Sequence, residues 1–270
     1  MNKITKILAV VFTFGFVFVG SGAFAQMSSD SPIFSYQPMS WNTSEASWLI
    51  GLRVLDNGQI SDLVIDQTNG RIALVMLSDV PYLGAQKVAV PYSSLLRTGE
   101  YTFELRDNPF VIVSPSDSHV VYGSSPETDP TWISNIYTYY HEAPYWTENG
   151  GQPLQAGKMD EYTRILGTEV QSRDGEAAGK IDDLVIDSSD GHVAFLVLSD
   201  VPGRGDTLVA VPFSSLERND KNALVLNIDK EKLAASPSFH ESADMNNLRY
   251  AESVYKYFGQ HPYWTEEGIR

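Results

Sequence analysis

Cysteine is missing from all 270 residues. That absence excludes disulfides, thiolate zinc sites, cysteine-ligated iron–sulfur clusters, covalently attached c-type haem, a cysteine nucleophile and a lipoprotein anchor. Basic residues are scarce, with 19 Lys+Arg against 34 Asp+Glu and a formal net charge of −15. A chain this acidic repels phosphate backbones, so nucleic acid is a poor partner on charge alone and none is expected. Long apolar runs are nearly absent as well. The one of near-spanning length, Ile7 to Ala25, follows Lys3 and Lys6 and ends in Ala23-Phe24-Ala25 before Gln26. A basic start, an apolar run and a small-x-small site form a secretory signal pattern, so residues 1–25 are expected to be removed. Gly20, Ser21 and Gly22 break the run near its end, against the alternative of a retained membrane anchor. The expected address is periplasmic or secreted.

What the chain does contain is folded-protein composition, 43% hydrophobic and 20% charged, in a length suited to two domains of about 100–150 residues. The sequence is one unit written twice. Ile60 to Pro81 reads ISDLVIDQTNGRIALVMLSDVP, and Ile181 to Pro202 reads IDDLVIDSSDGHVAFLVLSDVP, identical at 13 of 22 positions. The offset of 121 also carries Val88-Ala89-Val90-Pro91 onto Val209-Ala210-Val211-Pro212 and Ser93-Ser94-Leu95 onto Ser214-Ser215-Leu216. Upstream, Leu49-Ile50-Gly51 matches Ile165-Leu166-Gly167 at an offset of 116, because the second unit has the longer first hairpin. Each unit ends in an aromatic segment followed by PYWTE, at 144–148 and 262–266. A period this long is a duplicated domain rather than a solenoid.

Within a unit the pattern is β. Short β-branched runs are bounded by turn residues, and Asp66…Gly70 and Asp187…Gly191 each join two strands. Gly70 and Gly191 should take positive φ, and the side chains of Asp66 and Asp187 should accept from a backbone N–H two residues on. Five or six strands per unit are expected, closed or nearly closed into a small barrel. Ile72 to Leu77 and Val193 to Leu198 do not alternate in polarity, so both should be strands buried on two faces. Segments 130–141 and 244–258 read as helices, the first opened by Asp129-Pro130, with Pro144 and Pro262 expected to end them.

These residues carry a resemblance. Each unit is similar to a PRC-barrel domain, the small β-barrel of the photosynthetic reaction centre H subunit and of a ribosome maturation factor. In the second unit it runs through ILGTEVQSRDGEAAGKIDDLVIDSSDGHVAFLVLSD, GRGDTLVAVPFSSL and LVLNIDKEKLAASPSF; in the first, through LIGLRVLDNGQISDLVIDQTNGRIALVMLSD and KVAVPYSSL. The first departs after Leu105, where NPFVIVSPSD replaces the family's lysine-rich ending. The expected architecture is therefore all-β with short helices: two tandem PRC-like barrels, each followed by a short aromatic helix. The expected division is a signal peptide at 1–25, a linker at 26–44, barrels at 45–115 and 158–239, a linker with helix and PYWTE at 116–157, and a tail at 240–270. The resemblance implies an interaction and assembly module without a catalytic residue set.

Candidate chemistry points the same way. The five histidines, His119, His141, His192, His240 and His261, form no HExxH spacing. Asp62, Asp182, Asp183 and Asp190 crowd the hairpins beside Asp66 and Asp187, but without the spacing of an EF-hand, and turn geometry accounts for the last two. Ser93-Ser94 and Ser214-Ser215 lack a GxSxG context and read as turns. GRGDT at 203–207 has no following helix to make a phosphate loop, and its Arg-Gly-Asp triplet is too short to specify adhesion. Tryptophan is the more informative residue. Trp132, Tyr145, Trp146, Tyr263 and Trp264 are expected either to clamp the tails onto the barrels or to present an aromatic surface to a partner. No catalytic, metal or cofactor residue is expected. The expected function is a non-catalytic scaffold that binds a protein or envelope component. The alternative is a membrane-anchored assembly factor for electron-transfer complexes.

Overall fold

The computed structural model describes residues 42–99, 101–106, 120–121, 129–147 and 151–265. The expected signal segment, Trp41, His119 and the two final motif residues Glu148 and Glu266 lie outside the described residues.

The first half begins with β1 (Thr43–Glu45) and a single turn, α1 (Ala46–Leu49). Then follow β2 (Arg53–Val54), β3 (Gln59–Asp66), β4 (Arg71–Ser78) and β5 (Lys87–Pro91). A 3-10 turn at Tyr92–Ser94 leads into β6 (Leu95–Arg97), β7 (Thr102–Leu105), β8 (Val120–Val121) and the helix α2 (Pro130–Tyr139). The second half repeats this order with β9 (Met159–Glu161), α3 (Tyr162–Ile165), β10 (Glu169–Gln171), β11 (Ala177–Asp187), β12 (Val193–Ser199) and β13 (Val209–Pro212). A 3-10 turn at Phe213–Ser215, β14 (Leu216–Arg218), β15 (Leu224–Leu226) and the helices α4 (Lys230–Ala234), α5 (Glu241–Asp244) and α6 (Leu248–Phe258) complete it.

The protein is mostly β, in two sheets of eight and seven strands, ordered β6-β7-β2-β3-β4-β5-β8 and β13-β12-β11-β10-β15-β14 along their main paths. Among the described residues neither path closes, which corrects the expectation of hydrogen-bonded barrels. The cause is the corner made by each 3-10 turn. Tyr92–Ser94 swings the chain out of line between β5 and β6, and the gap is crossed by one backbone bond, Arg106 N to Ser94 O (2.7 Å). Asn227 N to Ser215 O (2.8 Å) does the same in the second half.

The off-path strands exchange. β1 opens the first half yet pairs with β11, Thr43 opposite Asp187 and Glu45 opposite Val185. β9 opens the second half yet pairs with β3, Met159 opposite Asp66 and Glu161 opposite Val64. Thr43 and Ser44, expected in a linker, are thus part of a sheet. The hairpin tips meet where the halves cross: Ile72 N donates to Gly191 O and Val193 N to Gly70 O, both at 2.8 Å. These reciprocal bonds relate the halves by an approximate two-fold axis. Residues Ser40–Arg270 form one compact unit.

Each long hairpin carries two bulges. Ser61 and Asp182 are the extra residues at the first, a displacement that turns Asp62 and Asp183 inward. Ala73 and Ala194 are the extra residues at the second. Every residue from Ile72 to Leu77 and from Val193 to Leu198 is buried, as strands covered on both faces require.

The helices end differently from expectation. Pro144 and Pro262 lie beyond the stops. α6 ends at Gly259, φ +70°, with Gln260 N bonded to Tyr255 O (3.0 Å) and Gly259 N to Lys256 O (3.1 Å). α2 ends the same way with His141 at φ +56°, Glu142 N bonded to Tyr137 O (3.1 Å) and His141 N to Thr138 O (3.2 Å). Both are left-handed caps that satisfy the last carbonyls before any proline is reached. The expected 244–258 helix is broken at Asn247, whose side chain accepts from Tyr250 N and opens α6. Among the described residues, no helix is long and apolar enough to cross a membrane.

Candidate functional site

Asp66 and Asp187 end the first strand of each hairpin and are buried. Burial of a carboxylate demands donors, and each hairpin supplies them locally. Asp66 accepts from Thr68 N (2.9 Å), Asn69 N (3.3 Å) and Asn69 Nδ2 (2.6 Å); Asp187 accepts from Ser189 N (3.0 Å) and Oγ (2.6 Å). Gly70 and Gly191 follow at φ +61° and +80°. At Gly191 the backbone conformation is compounded by crowding, because a Cβ there would sit 2.7 Å from the Tyr92 ring.

Each aspartate also accepts from its tail. Tyr145 donates to Asp66 Oδ2 (2.8 Å) and Tyr263 to Asp187 Oδ2 (2.9 Å). Burial, then the neighbouring aspartate, pushes both tyrosine hydroxyls far up, so they stay protonated donors. Burial also raises Asp66, against the pull of its bonds from Asn69 and Tyr145. A second tyrosine in each tail reaches the other bulge. Ala73 and Ala194 have no partner across the ladder, and their carbonyls accept from the hydroxyls of Tyr137 (3.0 Å) and Tyr255 (2.9 Å).

The tail aromatics lie over these bonds. Trp146 packs edge-on against Tyr137 (4.6 Å between centroids) and Tyr145 (5.0 Å), as Trp264 does against Tyr255 (5.0 Å) and Tyr263 (4.8 Å). Ile133, Ile136 and Tyr137 pack with Val64, Leu74, Met76 and Met159, joined at the edge by the half-buried Trp132. In the second half Ala251, Val254, Tyr255 and Phe258 join the main core, while Leu248 is only half-buried. Each tail therefore covers the outer face of its own hairpin.

The other candidates are occupied by architecture. Asp62 accepts from Leu63 N (2.8 Å), Thr163 N (3.1 Å) and the Thr163 hydroxyl; Asp183 accepts from Leu184 N (2.7 Å), Ser47 N (3.2 Å) and the Tyr162 hydroxyl (2.7 Å). Each thus caps the first turn of the helix that enters with the exchanged strand. His192 stacks on Tyr263 (4.2 Å, 14°) and bonds Asp190 (2.7 Å), while His240 lies 3.2 Å from Asp244. The Arg204 guanidinium bonds Ala234 O, Ser236 O and Ser238 Oγ, which removes the arginine of the Arg-Gly-Asp triplet from display. Both Ser-Ser pairs lie in the 3-10 corners. Among the described residues no group of three His, Asp or Glu is arranged to hold a metal.

The sequence reading missed a cavity of about 330 Å³ beside the hairpin junction, at the lower end of the range for small-ligand pockets. Arg71, Arg97, Arg106 and Asp190 are its charged lining residues, with Tyr92 and Tyr145 among the aromatic ones. Arg71 reaches Asp190 (3.2 Å) and lies over the Tyr145 ring, and Arg97 lies over the Trp48 ring (5.0 Å). Burial raises the Asp190 carboxyl, but its bonds to His192 and the charge of Arg71 outweigh it and hold the group below the usual range. The signal was present in the repeat, at positions where the halves differ in charge: Arg71 against His192, and Arg106 against Asn227.

No curated protein matches the chain. The family model that does match is the PRC-barrel domain, and it matches residues 157–233, the stretch that runs from the exchanged strand β9 into α4.

Proposed function

We propose that the protein is a non-catalytic scaffold of the cell envelope, built from two PRC-type modules, that binds a protein or envelope component. The first half is read as the second module because it repeats the strand order, corner, bulges and tail of the half that matches the family model. The observation that carries the functional reading is the use of the chemically capable side chains. The carboxylates of Asp62, Asp66, Asp183 and Asp187 and the hydroxyls of Tyr145 and Tyr263 are bonded within turns, caps and tails, so their polar atoms serve to hold the pair of halves rigid. A contact surface is suggested by Tyr82. It is fully exposed and held at φ +69°, where the second half has Gly203 at +83°. An aromatic side chain kept in solvent on a strained turn suits a partner contact.

The test is affinity capture from envelope extract with the purified protein as bait, repeated with Tyr82→Ala. A defined partner lost in the variant supports the proposal; capture of the same proteins by both removes Tyr82 from it, and no enrichment over an unrelated acidic bait sinks the scaffold reading. N-terminal sequencing of the native protein tests the address. A start at Gln26 supports an exported soluble protein, and retention of residues 1–25 supports the anchored alternative.

A further inference from the structure

We propose that residues 240–246 form a pH-operated strap over the exchanged strand β1, closed while Glu45 carries a proton and released when Glu45 ionises. The strap is tethered at both ends. Phe239 is buried and its N–H donates to Leu208 O (2.9 Å), while Asn247 caps α6. Between these points α5 and the two residues after it meet the edge of β1 that β11 leaves unpaired. Thr43 N donates to Asn246 Oδ1 (2.8 Å), and the Thr43 hydroxyl donates to Met245 O. Thr43 is buried beneath this contact. The edge is therefore closed by a turn and a side chain rather than by another strand, and it can open without breaking the sheet.

The internal repeat shows what Glu45 lacks. Its counterpart in the other exchanged strand is Glu161, opposite Val64 as Glu45 is opposite Val185. Glu161 is paired with Arg164 (2.8 Å), and the first half has Trp48 at the position of that arginine. Glu45 makes no ion pair or side-chain hydrogen bond among the described residues. The charged groups that act on it are acidic: Glu241 on the strap, and Asp183 and Asp182 on β11. Tyr162 of α3 joins the cluster as a neutral donor to Asp183, and α1 brings Ser47 and Trp48 without charge. The strap's other titratable groups, His240 and Asp244, lie against each other (3.2 Å). Burial, then Glu241 and the two aspartates, raise the Glu45 carboxyl from 4.5 to about 7. Lifting the strap takes Glu241 away and lets water reach Glu45, which moves the carboxyl back toward 4.5. The closed form thus holds the proton more tightly than the open form. Opening grows as pH rises from 4.5 to about 7 and levels off above it. This device stands apart from the scaffold reading, and the two fail independently.

The test is amide hydrogen exchange on the full chain, expressed as protection relative to the intrinsic rate at each pH. Thr43 reports the strap, and Leu196, paired on both sides in β12, reports the sheet. Thr43 protection should fall about tenfold between about pH 5 and pH 7.5 while that of Leu196 holds. Glu45→Gln should remove the pH dependence. Glu241→Gln, at an exposed position, should reduce it and lower the titration midpoint of Glu45 followed by carboxyl-carbon NMR, a readout that stands even if the first variant folds poorly. Asn246→Ala should leave Thr43 weakly protected at every pH with Leu196 unchanged. A fall at Thr43 as large in Glu45→Gln as in the parent, an equal fall at Leu196, an unprotected Thr43 at pH 5, or a Glu45 midpoint unmoved by Glu241→Gln would each overturn the strap.

Discussion

Glu45 carries the clearest pH signature in the protein. Its carboxyl is raised from 4.5 to about 7, chiefly by burial and then by Glu241, Asp183 and Asp182. A folded-state pKa above the unfolded one means the native state holds a proton that the unfolded chain has released. The contribution to stability is therefore greatest below about pH 4.5 and is lost as pH rises through 7. Glu45→Gln keeps a hydrogen-bonding side chain without the charge. Thermal melts should show the variant more stable than the parent at pH 8 and the difference shrinking toward pH 5; parallel curves at all pH values would show that Glu45 is not the group responsible. At this scale the sequence was legible where a residue acts on its own neighbours. Asp66 and Asp187 bond two residues along, a reach encoded within the turn itself. Their bonds to Tyr145 and Tyr263 were not legible, because a contact across 79 or 76 residues leaves no local pattern. The helix stops were misassigned for another reason. His141 and Gly259 occupy one conformational position with unlike side chains, and the nearby prolines drew the inference instead.

At the scale of elements, α6 and its motif act as a lid on the second hairpin. Ala251, Val254, Tyr255 and Phe258 are buried, and a fully buried large apolar side chain contributes roughly 1.5–3 kcal/mol. Removing residues 244–270 should lower the melting temperature and expose a patch that binds an apolar dye. Tyr263→Phe isolates the polar contribution. It leaves Asp187 with Ser189 as its side-chain donor and should cost about 1–2 kcal/mol in denaturant unfolding, without dye binding. A truncated protein that melts unchanged would show the tail to be detached in solution. The need for such a cover was visible in the apolar runs of β4 and β12, which fail to alternate. Barrel closure was not readable, since Tyr92-Ser93-Ser94 and Phe213-Ser214-Ser215 resemble ordinary turns between strands. The exchanged strands were invisible too. Thr43-Ser44-Glu45 and Met159-Asp160-Glu161 are three residues each and largely polar, and nothing in them names the hairpin they join.

At the scale of the whole molecule, exchange makes the halves interdependent. Each hairpin has an edge completed by the other half's leading strand, and each buried aspartate, Asp62 or Asp183, caps a helix that arrives with that strand. Fragments 26–150 and 151–270 expressed separately should each be poorly folded or self-associate through the open edge. Mixed in equal amounts, they should recover a one-to-one complex with the far-ultraviolet spectrum and melting transition of the intact chain. Two fragments that fold fully alone and do not bind each other would refute this interdependence. The repeat disclosed that two similar units exist. Their union required knowing which edge each short strand completes.

The same exchange sets an order of events during synthesis. The edge of β3 at Val64 to Asp66 waits for Met159 to Glu161, while β1 waits for Val185 to Asp187, 140 or more residues downstream of it. The first half cannot complete its sheet as it emerges, so the crossing of the two hairpins forms only once Gly191 and Val193 of the second half have been made. Until then the first half presents an unpaired strand edge, the feature most prone to pairing with another copy. A nascent chain held unfolded until it is complete would avoid that hazard, and one that folds piecemeal would meet it at every round of synthesis.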